Sequence, residues 1–196
     1  MGKRKLEAAL KQFTELYPDD PEPAVRWLPF QLNPGLPPEG ISRADYIFRK
    51  FGDRDSSRYD RVAGVGKSVG LDMAFDKIQV QPNTVRAHRL IHHAGELGSQ
   101  DAVAEALFRA YFCEGANLTD ITVLARYAAQ AGLDRAATEA FLRSDEGADL
   151  IRAADAEARQ AGIEGVPFFI VNRTIGLSGA QDPEVLLQAM QQARAA

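Results

Sequence analysis

The chain has 196 residues, a formal net charge of -4, 45% hydrophobic and 26% charged residues, and a single cysteine. Such a chain can bury one sizeable core, and it contains no 18-residue apolar run of the kind that spans a membrane. The acidic balance argues against general affinity for nucleic acid, and one cysteine excludes an intramolecular disulfide.

Leu6, Ala9, Leu10, Phe13 and Leu16 recur at helical spacing, which predicts an amphipathic helix from the start of the chain to Tyr17. Lys3, Arg4 and Lys5 occupy its first turn, where the helix dipole disfavours cations, and no Ser, Thr, Asp or Asn caps it. Two explanations stand side by side: an anion such as a thiolate at the helix end, carried by structure that continues upstream, or a frayed, solvated terminus. The absence of an apolar leader stretch predicts a cytosolic protein. After the proline-rich break at 18–23, the run from Val25 to Leu32 reads as a strand apolar on both faces, against which Pro29 stands as the objection.

From Ser42 to about Gly162 the apolar period is 3.6. Helices are predicted at Ala44 to Phe51, Arg61 to Val69, Thr84 to Leu97, Ser99 to Glu114, Thr119 to Ala131, Asp134 to Arg143 and Asp145 to Ala161. Ser99, Thr119 and Asp134 read as amino-terminal caps; Gly115, Gly132 and Gly162 fall where carboxyl-terminal caps belong. Then Gly165-Val166-Pro167-Phe168-Phe169-Ile170-Val171-Asn172 reads as a buried strand opening on a proline, with Val166-Pro167 a candidate cis bond. Thr174 to Gly179 is its hairpin partner, and Asp182-Pro183-Glu184 opens a last helix.

Three motifs offer chemistry that their context withholds. Gly64-Val65-Gly66-Lys67-Ser68 has the end of a phosphate-binding loop, but Arg61 stands where the first glycine is required and no apolar strand precedes it. His88 and His92 are four apart with His93 adjacent, but no cysteine or carboxylate completes a metal set, so they read as surface or subdomain-interface histidines and no metal site is predicted. Cys113 sits near a helix carboxyl end beside Glu114, where the local field opposes a thiolate, and reads as a small core residue; it is the one thiol candidate in the chain. The Asn117-Leu118-Thr119 and Asn172-Arg173-Thr174 acceptor patterns carry no weight without a secretory signal.

The carboxyl-terminal stretch resembles the second half of a thioredoxin fold. With Trp27-Leu28-Pro29-Phe30-Gln31-Leu32-Asn33-Pro34, Pro37-Pro38-Glu39-Gly40, Ala87-His88-Arg89-Leu90 and Ser178-Gly179-Ala180-Gln181, nearly the whole chain resembles the DsbA-like oxidoreductases. More narrowly, it resembles the cytosolic branch related to 2-hydroxychromene-2-carboxylate isomerases and kappa-class glutathione transferases. The resemblance implies an α/β thioredoxin-like fold missing its first strand, formed by residues 1–40 and 163–196, with a large all-helical insertion at 41–162. It implies that Val166 and Pro167 dock a substrate or glutathione, and that Gly2 and Lys3 begin the helix that follows the family's Cys-x-x-Cys turn.

Neither active-site cysteine is present in residues 1–196, which reads as a chain starting late, with the pair ahead of Met1. Thiol-disulfide exchange with protein or small-molecule partners is the leading expectation, without a bound cofactor. The alternatives are a glutathione-dependent isomerase or transferase, with glutathione as co-substrate, and a non-catalytic binding module. An open strand edge at Val25 to Leu32 further predicts a homodimer.

Overall fold

A computed structural model describes residues 1–53 and 55–195. Arg54, in the stretch between the helices predicted at Ala44 to Phe51 and Arg61 to Val69, and Ala196 lie outside the described residues. In chain order the elements begin α1 (Gly2–Leu16), β1 (Ile41–Ser42), α2 (Arg43–Phe51), α3 (Asp60–Ser68), β2 (Val80–Gln81) and α4 (Val85–Glu96). They continue α5 (Gln100–Phe112), α6 (Ile121–Gln130), α7 (Arg135–Arg143), α8 (Ala148–Gln160), β3 (Phe168–Val171), β4 (Ile175–Ser178) and α9 (Pro183–Arg194). They form two compact units, residues 1–25 with 159–196, and residues 26–158.

In the first unit, β3 and β4 form an antiparallel hairpin that pairs Phe168 with Ser178 and Val171 with Ile175. Asn172 and Arg173 at its tip have φ of 48° and 63°, the positive values that let a tight turn follow the twist of its strands. Alternation along the strands sends Phe169, Val171 and Leu177 into one core with Ala9, Phe13, Leu186 and Met190, while Ile170 faces outward. α1 and α9 are thereby locked together. Asp20 closes their far end by pairing with Arg194, whose guanidinium also lies 4.3 Å from the Tyr17 ring.

The second unit is built on α4 to α7. Leu90, Val103, Leu107, Leu124 and Leu142 fill its centre, and Ala87, Ala94, Ala110 and Ala128 keep the helices close. Caps hold the helix starts: Asp134 accepts from the Ala137 N–H at 2.7 Å, and Asp120, rather than the expected Thr119, accepts from Thr122 at 2.8 Å. Ser99 precedes α5 without a side-chain capping bond. Gly115, Gly132 and Gly162 adopt the left-handed φ expected of them. Arg89 is buried, yet its guanidinium donates to the carbonyls of Glu146 at 2.6 Å and Phe141 at 3.0 Å, so it clamps the chain just after α7. Among the described residues of the unit, the strands are a two-residue antiparallel ladder between β1 and β2. Gly40 precedes it at φ 76°, where a Cβ would stand 2.5 Å from the Gln81 carbonyl oxygen.

The strand expected at Val25 to Leu32 does not form. The segment is a strap without secondary structure, held at the main-chain groups of Trp27, Phe30 and Gln31 by side chains instead of a ladder. Gln100 accepts from the Trp27 N–H at 2.9 Å and donates to the Trp27 carbonyl at 3.2 Å; the Trp27 indole N–H donates to Asp101 at 2.9 Å. The buried Asp155 carboxylate accepts from the Gln31 N–H at 2.7 Å, and the His88 Nε2–H donates to the Phe30 carbonyl at 3.2 Å. Pro29 is accommodated because no ladder asks for its missing donor. With no strand edge in this segment, the reason for expecting a dimer through it is removed.

Burial holds the His88 imidazole below the ordinary histidine pKa, against opposing pulls from the Phe30 carbonyl and the Asp155 charge. The unfolded chain takes up this proton first, so stability is full above about pH 6.5 and is lost as the pH falls from there through the folded-state value. Urea unfolding at pH 7.5 and 5.5 should show this loss, and His88→Gln should reduce the difference between the two. In the first unit, Leu186→Ala should destabilise by about 3 to 5 kcal/mol in the same assay, because Leu186 is fully buried where the two helices meet.

Candidate docking site at the Val166-Pro167 loop

The amino end of α1 lies against the start of β3. Gly2 is buried, and a Cβ on it would fall 2.8 Å from Pro167 Cγ, 3.0 Å from Pro167 Cβ and 3.4 Å from Phe169 Cζ. Any side chain there would push the loop away. The Val166-Pro167 peptide bond is cis. The Pro167 carbonyl is tied back by the Gly179 N–H at 2.9 Å, which fixes the loop to the far end of β4. Val166 is 50% exposed, and among the described residues its backbone N–H and C=O have no hydrogen-bond partner. The site thus offers a main-chain donor and acceptor beside a helix amino end.

The cations of the first turn are answered by two acidic residues, Glu7 and Asp182, to which the sequence alone assigned no such role. Glu7 pairs with Lys3 and accepts from Arg4 at 2.8 Å, while Lys5 pairs with Asp182 at 2.6 Å and donates to the Ala180 carbonyl at 3.0 Å. Burial alone would raise the Glu7 carboxyl; the bonds and charges of Lys3 and Arg4 outweigh it and hold the group below the usual carboxylate range. The three-and-four spacing from Arg4 and Lys3 to Glu7 was the available signal. The amino end of α1 has no side-chain cap, and its first turn has no acidic residue.

The other candidates belong to the helical unit. Cys113 is the half-buried residue that follows the last turn of α5, at the carboxyl end of the helix dipole. Gly64 to Ser68 lie within α3, a helix and not a phosphate-binding loop. His88 holds the strap, His93 stacks on Phe141 at 4.3 Å, and His92 and His93 face Glu96 at 3.9 and 3.2 Å. Among the described residues no group of three or more His, Cys, Asp or Glu could hold a metal ion, and no helix is long and apolar enough to cross a membrane.

A DSBA-like thioredoxin domain matches residues 1–191. The chain belongs to the DsbA-like family. A solved structure from Streptomyces coelicolor, described as a probable DsbA oxidoreductase, superposes with a TM-score of 0.86 at 32% identity, covering 99% of this chain and 83% of that one. The uncharacterized protein YwbO of Bacillus subtilis (strain 168) is 26% identical over 195 residues, covering 97% of this chain and 88% of its own length. The DsbA-like thioredoxin fold with a helix-rich insertion therefore holds for this chain.

The contact between Gly2 and Pro167 makes position 2 diagnostic in this DsbA-like chain. Gly2→Ala should destabilise the first unit by about 1 to 3 kcal/mol, the usual cost of forcing a methyl group into filled space, measured by thermal unfolding beside Lys3→Ala, which leaves that contact intact.

Proposed function

We propose that the chain serves in thiol-disulfide exchange, with the disulfide-bearing partner laid in an extended conformation against Val166 and Pro167. The observation that carries this reading is the contact of the α1 amino end with the proline loop, beside the unbonded main-chain groups of Val166. Residues 1–196 hold no thiol at that helix end, so the reacting pair is supplied from outside them; placed there, its first sulfur is favoured as the thiolate over the thiol by the dipole. This thiolate attacks one sulfur of the partner disulfide; a mixed disulfide forms and the partner's other sulfur leaves as a thiolate. A second thiol then breaks the mixed bond, leaving the partner reduced and the site as a disulfide. Cys113 is given no part, because it follows a helix carboxyl end, where the dipole disfavours a thiolate.

A second reading is favoured by the single cysteine of residues 1–196: glutathione itself brings the sulfur to the same loop, for isomerase or transferase chemistry. Retention on immobilised glutathione without reduction of insulin would select it.

For the leading reading, the protein purified from its own host should reduce insulin disulfides in the presence of dithiothreitol. Activity should survive Cys113→Ser and fall at least about tenfold in Pro167→Ala, since misplacing a docked substrate by about 1 Å has effects of that size. Activity lost in Cys113→Ser and untouched in Pro167→Ala would overturn it.

A further inference from the structure

Among the described residues the helical unit has two buried arginines, and they are satisfied very differently. Arg89 has two main-chain carbonyls. Arg43 is 9% exposed, and among the described residues its guanidinium has a single acceptor, the side-chain oxygen of Gln81. That oxygen is also approached by the Tyr111 hydroxyl at 3.4 Å. Among the described residues no carboxylate pairs with Arg43. A guanidinium carries five N–H donors, and a buried charge with one shared neutral acceptor is costly.

Its position adds to the cost. Arg43 is the first residue of α2, where the dipole is positive and disfavours a cation. Its surroundings are ring faces, Tyr59 at 4.6 Å and Tyr46 at 5.2 Å, with Phe75 stacked at 5.0 Å on Tyr59. Ring faces attract the cation and repel an anion, which leaves the plane of the guanidinium as the approach for a counter-charge. Burial pushes the Tyr111 hydroxyl up to about 12 against the opposing pull of Arg43, so it stays a neutral donor. The remaining guanidinium nitrogens are not sealed from solvent. Tyr46 also lines an open cavity of about 390 Å³ with Leu32, Leu36, Ile41 and the cations Arg49 and Lys50.

We propose that Arg43, framed by Tyr46 and Tyr59, binds the carboxylate of a small organic anion at the amino end of α2. A planar carboxylate matches the guanidinium fork and fits edge-on between ring faces; its one charge balances one charge. The carbon body of the ligand extends past Tyr46 into the apolar side of the cavity.

The test is thermal unfolding of the full chain in sodium benzoate against sodium chloride and sodium phosphate at equal ionic strength. Benzoate should raise the midpoint saturably in the wild type, and Arg43→Gln should abolish the rise. Arg43→Lys, which keeps the charge without the fork, should weaken binding at least about tenfold. No rise beyond chloride, an equal rise in phosphate, or an undiminished rise in Arg43→Gln would each overturn the proposal. Should Arg43→Gln not fold, Tyr46→Leu replaces it: about tenfold weaker benzoate binding supports the site, and unchanged binding overturns it.

Discussion

The first unit depends on a contact that only a hydrogen atom's width permits, that of Gly2 against Pro167. Because position 2 has no side chain, α1 can bring its amino end down onto the loop that opens β3. The same descent sets Ala9 and Phe13 against Leu186 and Met190 further along the helix. One missing methyl group therefore fixes both the depth of the core and the presentation of Val166. Two lysines and an arginine in the first turn do not upset this arrangement, since Glu7 and Asp182 answer them within the same unit.

What the sequence disclosed follows from what sequence patterns record. Helical periodicity placed α1 and α4 to α8 to within a few residues, because each helix buries one stripe and exposes the other. The β3-β4 hairpin was legible from its aromatic and β-branched run, and α9 from the proline in its first turn. The run from Val25 to Leu32 has the same composition as a buried strand, and composition cannot say what will satisfy its backbone. Gln100, Asp155 and His88 do so from 58 to 124 residues away. Pro29 was the one local sign that no ladder would form.

The site was legible in a different way. Val166 and Pro167 stood out through resemblance, and the family match with its structural neighbour supports the frame in which they sit. The approach of Gly2 to Pro167 spans 165 positions of sequence and leaves no pattern in either stretch. Arg43 was equally hidden: nothing in Ser42-Arg43-Ala44-Asp45-Tyr46 distinguishes a solvated arginine from a buried one lying over two tyrosine rings.

The strap over the helical unit has a consequence for how the chain tolerates change. Gln100 meets both the N–H and the C=O of Trp27, standing in for the peptide group of a neighbouring strand. A real strand neighbour is generic, since every residue but proline supplies the same two groups. A side-chain amide is not. The bonds to the strap's backbone are written in the helices beneath it, so its exposed positions Leu28 and Leu32 are freer to vary, while Trp27 is held by its indole and Phe30 and Gln31 are buried. The isosteric exchange of Gln100 for glutamate, silent in volume, would set a carboxylate against the Trp27 carbonyl where an N–H now points. The segment thus behaves as a ligand that happens to be covalently attached, recognised at a few fixed points by a receptor made of helices.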